Sequence, residues 1–431
     1  MRLGAGPVVR RADASAQDEV RRQNLSAVLR LLHFHGPASR SDIVAATGFN
    51  RSTVGSLTSE LVKTGLVRER PGVVRGKGRP SNVVEPVSTS VHVLAFDVTP
   101  SGVGAARVGL GGYMLQVRRR LHQTTPMDVA GVVDLIATLT REMDSRATPG
   151  SVCLGVVVSV PGSVRQPDGL VRRSPPLGWH EVPLADLLRV ATEGRFPIAV
   201  GNDGDLGVVA EYLRGSARGQ QDVLYVRGEA GVGGGVVVDG ELLKGAGGYA
   251  GEVGHIVVKP GGRVCSCGAR GCWEAEIGDA AIIRAVGRDP RESEIEDVLS
   301  DVGIGNRRAV AGVRKTGEWV GIGLASLVNL FNPRVVVLGG TLGALYPTME
   351  PTLAEAFARA LGPIREQALL VRSELGSDAQ LIGAAEVAFA DVLEDPLGTL
   401  EARRGGGDED DDAGQDVPMP RTVGERRTAS G

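Results

Sequence analysis

The sequence predicts an α/β protein carrying a small helical head, on three observations. From residue 91 to 400, short apolar runs alternate with stretches of helical periodicity and frequent glycine turns, the pattern of an α/β domain with substantial sheets. From 21 to 88, three helical periodicities are followed by two strand-like pieces. The charge divides along the same line. Residues 1–90 carry 14 Lys+Arg against 7 Asp+Glu, while the 431-residue chain as a whole has a net charge of −3. A basic front on an acidic body suggests a nucleic-acid-binding head joined to a different kind of module. Four segments are expected: a flexible N-terminus 1–20, the head 21–88, the body 89–400 and an acidic tail 401–431.

In the head, Leu25, Val28, Leu29 and Leu32 share one face of a helix over 24–35. A short second helix is expected over 39–47, with Ser39 or Ser41 as its cap and Gly48 as its end. Asn50 can cap a third, on which Val54, Leu57, Thr58 and Leu61 recur at helical spacing until Gly65 closes it. Strand-like pieces Leu66 to Arg68 and Asn82 to Glu85 flank a loop, Pro71–Ser81. Three helices and a hairpin are the layout of a winged helix-turn-helix. The third helix would enter a major groove by its N-terminal end, where Arg51, Ser52 and Thr53 reach base edges or phosphates, with Ser56 also off the core face. Gly55 costs a helix interior about 1 kcal/mol relative to alanine, and its small size suits a close approach to DNA. In the loop Arg75-Gly76-Lys77-Gly78-Arg79-Pro80, glycine and proline keep the backbone extended, so that Arg75, Lys77 and Arg79 form a narrow cationic strip suited to a minor groove. The alternative is a three-helix interaction domain whose charges are only solvated. The loop favours double-stranded DNA.

In the body, strand-like runs are Val93–Asp97, Leu154–Val160, Ile198–Val200, Val223–Val226, Val236–Val238 and Val335–Leu338. Helical patterns are Val129–Met143, Leu184–Thr192, Trp319–Leu330 and Leu353–Leu361. Cys153 lies in an apolar run and reads as a core thiol. No apolar run is long enough to span a bilayer, and no apolar stretch succeeds the arginines near the start, so neither membrane nor export is expected. Few cysteines fit the cytoplasm.

His255, Cys265, Cys267 and Cys272 gather one imidazole and three of the four cysteines into eighteen positions. Such a set completes a tetrahedral shell with no open position for a reactive water, which reads as structural zinc. Unrelated buried thiols are the alternative.

Several segments together resemble the ROK family of repressors, open-reading-frame proteins and sugar kinases. These are Val160-Pro161-Gly162, Leu177-Gly178-Trp179 with Pro183-Leu184, Gly201-Asn202-Asp203, Gly251 to His255, and Cys265 to Glu274. Later come Asn332-Pro333, Val337 to Gly340 and Gly383-Ala384-Ala385. The resemblance implies a two-lobed sugar-kinase/actin-like (ribonuclease H-like) body with a cleft between the lobes, and a preceding winged helix is the family's repressor arrangement. It places Asp203 where family kinases keep the general base. It assigns sugar-hydroxyl contacts to Asn202, Asp203, Glu252, His255 and Glu274. Against phosphate chemistry, the family's Asp-x-Gly-Gly-Thr turn reads Asp97-Val98-Thr99-Pro100-Ser101, and proline removes an amide. The second phosphate loop reads Glu229-Ala230-Gly231-Val232-Gly233-Gly234, with no threonine hydroxyl and an added carboxylate. Gly201 replaces a family glutamate, which alters the sugar contacts.

The expectation is therefore a sugar-responsive transcriptional regulator and not an enzyme, most simply a repressor. A homodimer or homotetramer would bind an operator and take a carbohydrate or sugar-phosphate effector. The rival is an ATP-dependent, glucokinase-like sugar kinase with a regulatory head. A third reading is a constitutive DNA-binding protein with a vestigial cleft. The tail, with Asp408-Glu409-Asp410-Asp411-Asp412, has too little apolar content to fold.

Overall fold

The computed structural model describes residues 16–72, 82–121 and 128–405. The head comprises α1 (Ala16–His35), β1 (Ala38–Ser39), α2 (Arg40–Thr47), α3 (Arg51–Thr64), β2 (Val67–Arg70) and β3 (Val83–Pro86). Its helix boundaries come from local chemistry. Ser39 and Asp42 form a reciprocal capping box at α2. The Asn50 side chain accepts from the Thr53 N–H at 2.8 Å to start α3. Gly48 and Gly65 end the two helices at φ 73° and 80°, a region L side chains rarely adopt. β1, β3 and β2 make a small antiparallel sheet in that order. The loop with Arg75, Lys77 and Arg79 lies outside the described residues.

The body begins with β4 (Val91–Thr99), β5 (Gly102–Gly109), β6 (Tyr113–Leu121), α4 (Val129–Asp144), β7 (Val152–Val160), β8 (Ser163–Val164), β9 (Val171–Ser174), β10 (Trp179–Val182), α5 (Leu184–Ala191), β11 (Ile198–Asn202) and α6 (Asp203–Leu213). It continues with β12 (Val223–Gly228), β13 (Val232–Val238), β14 (Glu241–Leu242), α7 (Trp273–Ile277), α8 (Asp279–Ala285), α9 (Ile295–Gly303) and α10 (Arg307–Phe331). The last are β15 (Val335–Gly339), α11 (Gly340–Phe357), α12 (Gly362–Arg365), β16 (Leu369–Arg372), α13 (Ala379–Glu394) and α14 (Pro396–Gly405).

Two five-stranded sheets repeat one plan. The first runs β6-β5-β4-β7-β11 and the second β14-β13-β12-β15-β16. In each, an antiparallel meander precedes two parallel strands. The central strands are buried along nearly their whole length, so they read in sequence as continuous apolar runs. Helix α13 crosses back to the first lobe and packs on β4, β7 and α6. Gly383 permits that crossing, since a Cβ there would fall 1.8 Å from the Leu206 carbonyl oxygen.

Two helices differ from expectation. The pattern Trp319–Leu330 is the end of the 25-residue α10, and Leu353 belongs to α11, which stops at Phe357. Glycines that look like breakers are contact points. A Cβ on Gly321 would lie 2.5 Å from the Leu353 carbonyl oxygen, and one on Gly317 2.8 Å from that of Met349, so both let α10 and α11 touch closely. α11 also absorbs Pro347 and Pro351. At the ends, α1 starts at Ala16, within the stretch 1–20, and α14 continues to Gly405, past residue 400. Cys153 is half-buried rather than fully enclosed, and burial pushes its thiol up to about 12. No helix among the described residues is long and apolar enough to cross a membrane.

Head and body share one apolar core. Leu25, Leu29 and Leu32 of α1 cluster with Leu381, Phe389 and Leu393 of α13 and Leu400 of α14. A buried polar joint lies beside it. The Gly111 N–H donates to His33 Nδ1 at 3.0 Å, which leaves the ring proton on Nε2, 2.9 Å from Glu386 Oε2. Arg214 donates to Glu386 Oε1 and to the His33 carbonyl oxygen, and its guanidinium stacks over Phe34. Burial alone would raise the Glu386 carboxyl, but His33 and Arg214 outweigh it and hold it below its ordinary range.

Candidate functional site

A cavity of about 200 Å³ opens between the lobes. Its first-lobe wall is the β4–β5 turn, Pro161-Gly162, Pro175-Pro176 and the start of α6. Its second-lobe wall is the glycine loop Glu229–Gly233 with Arg227, Glu252, His255, Ser266 and Glu274. All five residues expected to contact sugar, Asn202, Asp203, Glu252, His255 and Glu274, line it.

Each is held by its neighbours. Asn202 ends β11 and caps α6, accepting from the Gly204 and Asp205 N–H groups at 2.8 and 3.0 Å and donating to the Gly162 carbonyl oxygen at 2.8 Å. Much of its polar capacity is therefore spent on the turn that aims Asp203. Glu252 accepts from Ser163 Oγ at 2.8 Å across the lobes, and its other oxygen lies 3.9 Å from His255 Nε2. Glu274 accepts from Ser266 Oγ at 2.8 Å and from the Val232 N–H at 3.1 Å, tying the cysteine loop to the glycine loop.

The would-be base is not free. Arg227, at the end of β12, donates to Asp203 Oδ2 at 3.2 Å and forms a second ion pair with Glu229. Only 8% of Arg227 is exposed, so this pairing is poorly screened. Asp97 is buried in the same neighbourhood and accepts from Ser159 Oγ at 2.7 Å. Burial, reinforced by Asp97 and Glu252 and opposed by Arg227, pushes Asp203 up to about 6. Burial likewise lifts Glu229 to about 7, against the pull of Arg227. Sequence reading missed Arg227. A lone arginine closing the apolar run Val223–Val226, just before a glycine loop, was the available signal.

The stability consequence has a definite sign. A carboxyl whose folded-state value lies above its unfolded value of about 4 binds more protons in the native state, so its contribution is lost as pH rises through about 4 to 6. Asp203→Asn should therefore gain stability relative to the unmutated chain across that window, by about 2–3 kcal/mol at pH 7. Urea unfolding at pH 4, 5, 6 and 7 reads the difference. A gap that narrows with pH would contradict the assignment.

His255, Cys265, Cys267 and Cys272 converge beside the cavity, their ligand atoms all within 4.8 Å of one another. His255 Nδ1 lies 3.6 Å from Cys265 Sγ, and Cys267 Sγ 3.6 Å from Cys272 Sγ. Tetrahedral zinc with Zn–S near 2.3 Å and Zn–N near 2.05 Å requires separations of about 3.5–3.8 Å, which these two pairs match. With Nδ1 turned to this cluster, Nε2 faces the cavity.

On the head, Arg51, Ser52 and Ser56 are exposed on α3, and Thr53 is half-buried. The Ser52 hydroxyl donates to Asn50 Oδ1 at 2.7 Å and remains open as an acceptor. Gly55 is not demanded by packing, because an added Cβ would meet only Arg40 Nη1, at 3.7 Å. Gly55→Ala should stabilise the head by up to about 1 kcal/mol. Thermal unfolding of the variant checks it, and a lowered midpoint would contradict it. DNA titration of the same protein tests whether the missing methyl serves close approach.

The ROK family's sequence profile matches residues 100–390. The chain is 25% identical over 390 residues to the xylose repressor of Bacillus subtilis (strain 168), covering 89% of this chain and 99% of the repressor. It is 28% identical over 315 residues to a glucokinase of Streptomyces coelicolor (strain ATCC BAA-471 / A3(2) / M145), covering 68% of this chain and 96% of the glucokinase. A solved ROK family transcriptional regulator, a homolog of the E. coli MLC protein, superposes with a TM-score of 0.71 at 25% identity over 90% of this chain and all of that one. The repressor's 89% is more than everything after residue 88 can supply, so that likeness extends into the head.

Proposed function

The chain belongs to the ROK family, and from that premise we propose that it is a sugar-responsive transcriptional regulator, a repressor of carbohydrate genes. The observation that carries this is the head: likeness to the repressors runs through it, whereas the glucokinase likeness covers only a body's length. Arg51, Ser52, Thr53 and Ser56 would read an operator from α3, and Arg75, Lys77 and Arg79 would track a minor groove. Two such heads, in a cytoplasmic homodimer or tetramer, would match a two-half-site operator.

In the cleft, Asn202, Asp203, Glu252, His255 and Glu274 would hold the hydroxyls of a sugar. Recognition without phosphoryl transfer is supported by Arg227 on Asp203, by Pro100 in the first turn and by the glycine loop Glu229-Ala230-Gly231, which offers no threonine hydroxyl. Zinc held by His255, Cys265, Cys267 and Cys272 would be structural, fixing the loop that carries Glu274 and orienting His255 toward the ligand.

α6 supplies the link from cleft to head. Its first residue is Asp203, and Arg214, which caps its other end, grips His33 and Glu386. Its 11 residues make a rod of about 16 Å. A sugar that binds one lobe arrangement more tightly would shift α6 and with it the head. Footprinting on DNA beside its own gene, with and without sugars, tests the proposal. Protection with no sequence preference at moderate salt would remove it.

The glucokinase likeness and Asp203 favour one second reading, a sugar kinase with a regulatory head. A coupled ADP-release assay over a sugar panel decides it: turnover abolished by Asp203→Asn would establish the kinase.

A further inference from the structure

The last described helix ends beside the DNA-reading helix, and five consecutive carboxylates, 408–412, follow it in the sequence. α14 packs on α1 through Leu400, and Arg404 Nη2 donates to the carbonyl oxygen of Thr64, the last residue of α3, at 3.2 Å. Beyond Gly405 the sequence runs Gly406-Gly407-Asp408-Glu409-Asp410-Asp411-Asp412. At about 3.5 Å per residue, the carboxylates lie within about 10 to 25 Å of the α14 terminus along the chain. The 14-residue α3 is itself about 21 Å long.

The facing surface has the complementary charge. Arg21, Arg40, Arg68 and Arg70 of the head are each tied to a head carboxylate, Glu60, Glu69 or Glu85. Among the described residues, Arg51 and Lys63, at opposite ends of the exposed face of α3, form no ion pair. Ser52, Ser56 and Ser59 lie between them on that face, and no exposed carboxylate interrupts it. These cations are also those that would neutralise phosphates.

We propose that Asp408–Asp412 docks on the exposed face of α3, between Lys63 and Arg51, and competes with DNA for it. The inference rests on the reading of the head as DNA-binding. The segment is an intramolecular polyanion at high effective concentration, tethered at the end of the helix it covers. Its hold is electrostatic and therefore weakens with salt, as DNA binding does. Non-specific duplex, held by phosphate contacts alone, would be excluded more strongly than an operator, which adds base contacts.

The test uses the full chain. One variant carries Asp408→Asn, Glu409→Gln, Asp410→Asn, Asp411→Asn and Asp412→Asn together, all outside the described residues. Fluorescence anisotropy against a duplex of about 30 base pairs should show about tenfold tighter binding by the variant at 50 mM salt, shrinking to about twofold at 200 mM. Equal affinities at 50 mM would overturn the proposal. Zero-length carbodiimide crosslinking without DNA gives an independent readout: a Lys63 link to the 408–412 peptide supports docking, and its absence from a sample that crosslinks elsewhere overturns it. If neither protein binds DNA while the Lys63 crosslink forms, the reading of the head fails and the docking stands.

Discussion

Truncating Glu386 to alanine is expected to destabilise the chain by about 3–5 kcal/mol and to loosen the head from the body. The carboxylate is 3% exposed and stands between a fully buried imidazole and a guanidinium. Its removal leaves His33 Nε2 and the Arg214 Nε–H without their acceptor, the imidazole fully buried and the guanidinium mostly so. The cost is that of orphaned partners, not of the pair itself. Replacing His33 as well should cost less than the sum of the two single changes, because each orphans the other, while the Arg214 Nε–H and the Gly111 N–H stay without acceptors. Denaturant unfolding measures the totals, and limited proteolysis at the head–body junction measures the loosening. A loss below about 1 kcal/mol for Glu386→Ala would mean that the apolar contacts of α1 with α13 hold the head by themselves.

The second large effect is expected at the cysteine loop. Replacing Cys272, which is fully buried, should remove bound zinc, because three ligands and an added hydroxyl hold the ion far less tightly. Zinc contributes about 10–16 kcal/mol to isolated zinc-finger peptides, an upper bound here because the second lobe has its own apolar core. Cys272→Ser should lower the melting temperature and abolish any sugar response, since Glu274 and His255 are aimed by this loop. Metal analysis should give close to one zinc per unmutated chain. A ratio far below one, with the fold intact, would contradict the zinc assignment.

Much of this architecture was legible because it is written in short-range chemistry. Asn50, Ser39, Gly48 and Gly65 announce helix ends through caps and left-handed glycines, and the structure uses them so. The parallel strands β4, β7, β11, β12 and β15 are readable because burial leaves unbroken apolar runs, whereas the edge strand β16, half-exposed, leaves only a short one. The long α10 was not legible, because Gly317 and Gly321 serve a neighbouring helix rather than their own backbone, and local propensity holds no trace of the neighbour. The cavity residues around Asp203 and the cysteine loop stood out as motifs. Arg227 did not, since its meaning depends on β12 delivering it to Asp203 from the opposite lobe. The joint of His33, Glu386 and Arg214 was invisible for the same reason: its members are up to 353 positions apart and none belongs to a motif.

The central claim is that the cleft recognises a sugar and reports it to a DNA-reading head. The most direct measurement is anisotropy of the full chain on DNA from beside its own gene, against an unrelated duplex, at moderate salt and over a panel of pentoses and hexoses. The account predicts preference for its own site by at least about 10³-fold, with one sugar changing that affinity by about 5- to 150-fold. Equal binding to both duplexes, unchanged by every sugar, would contradict it.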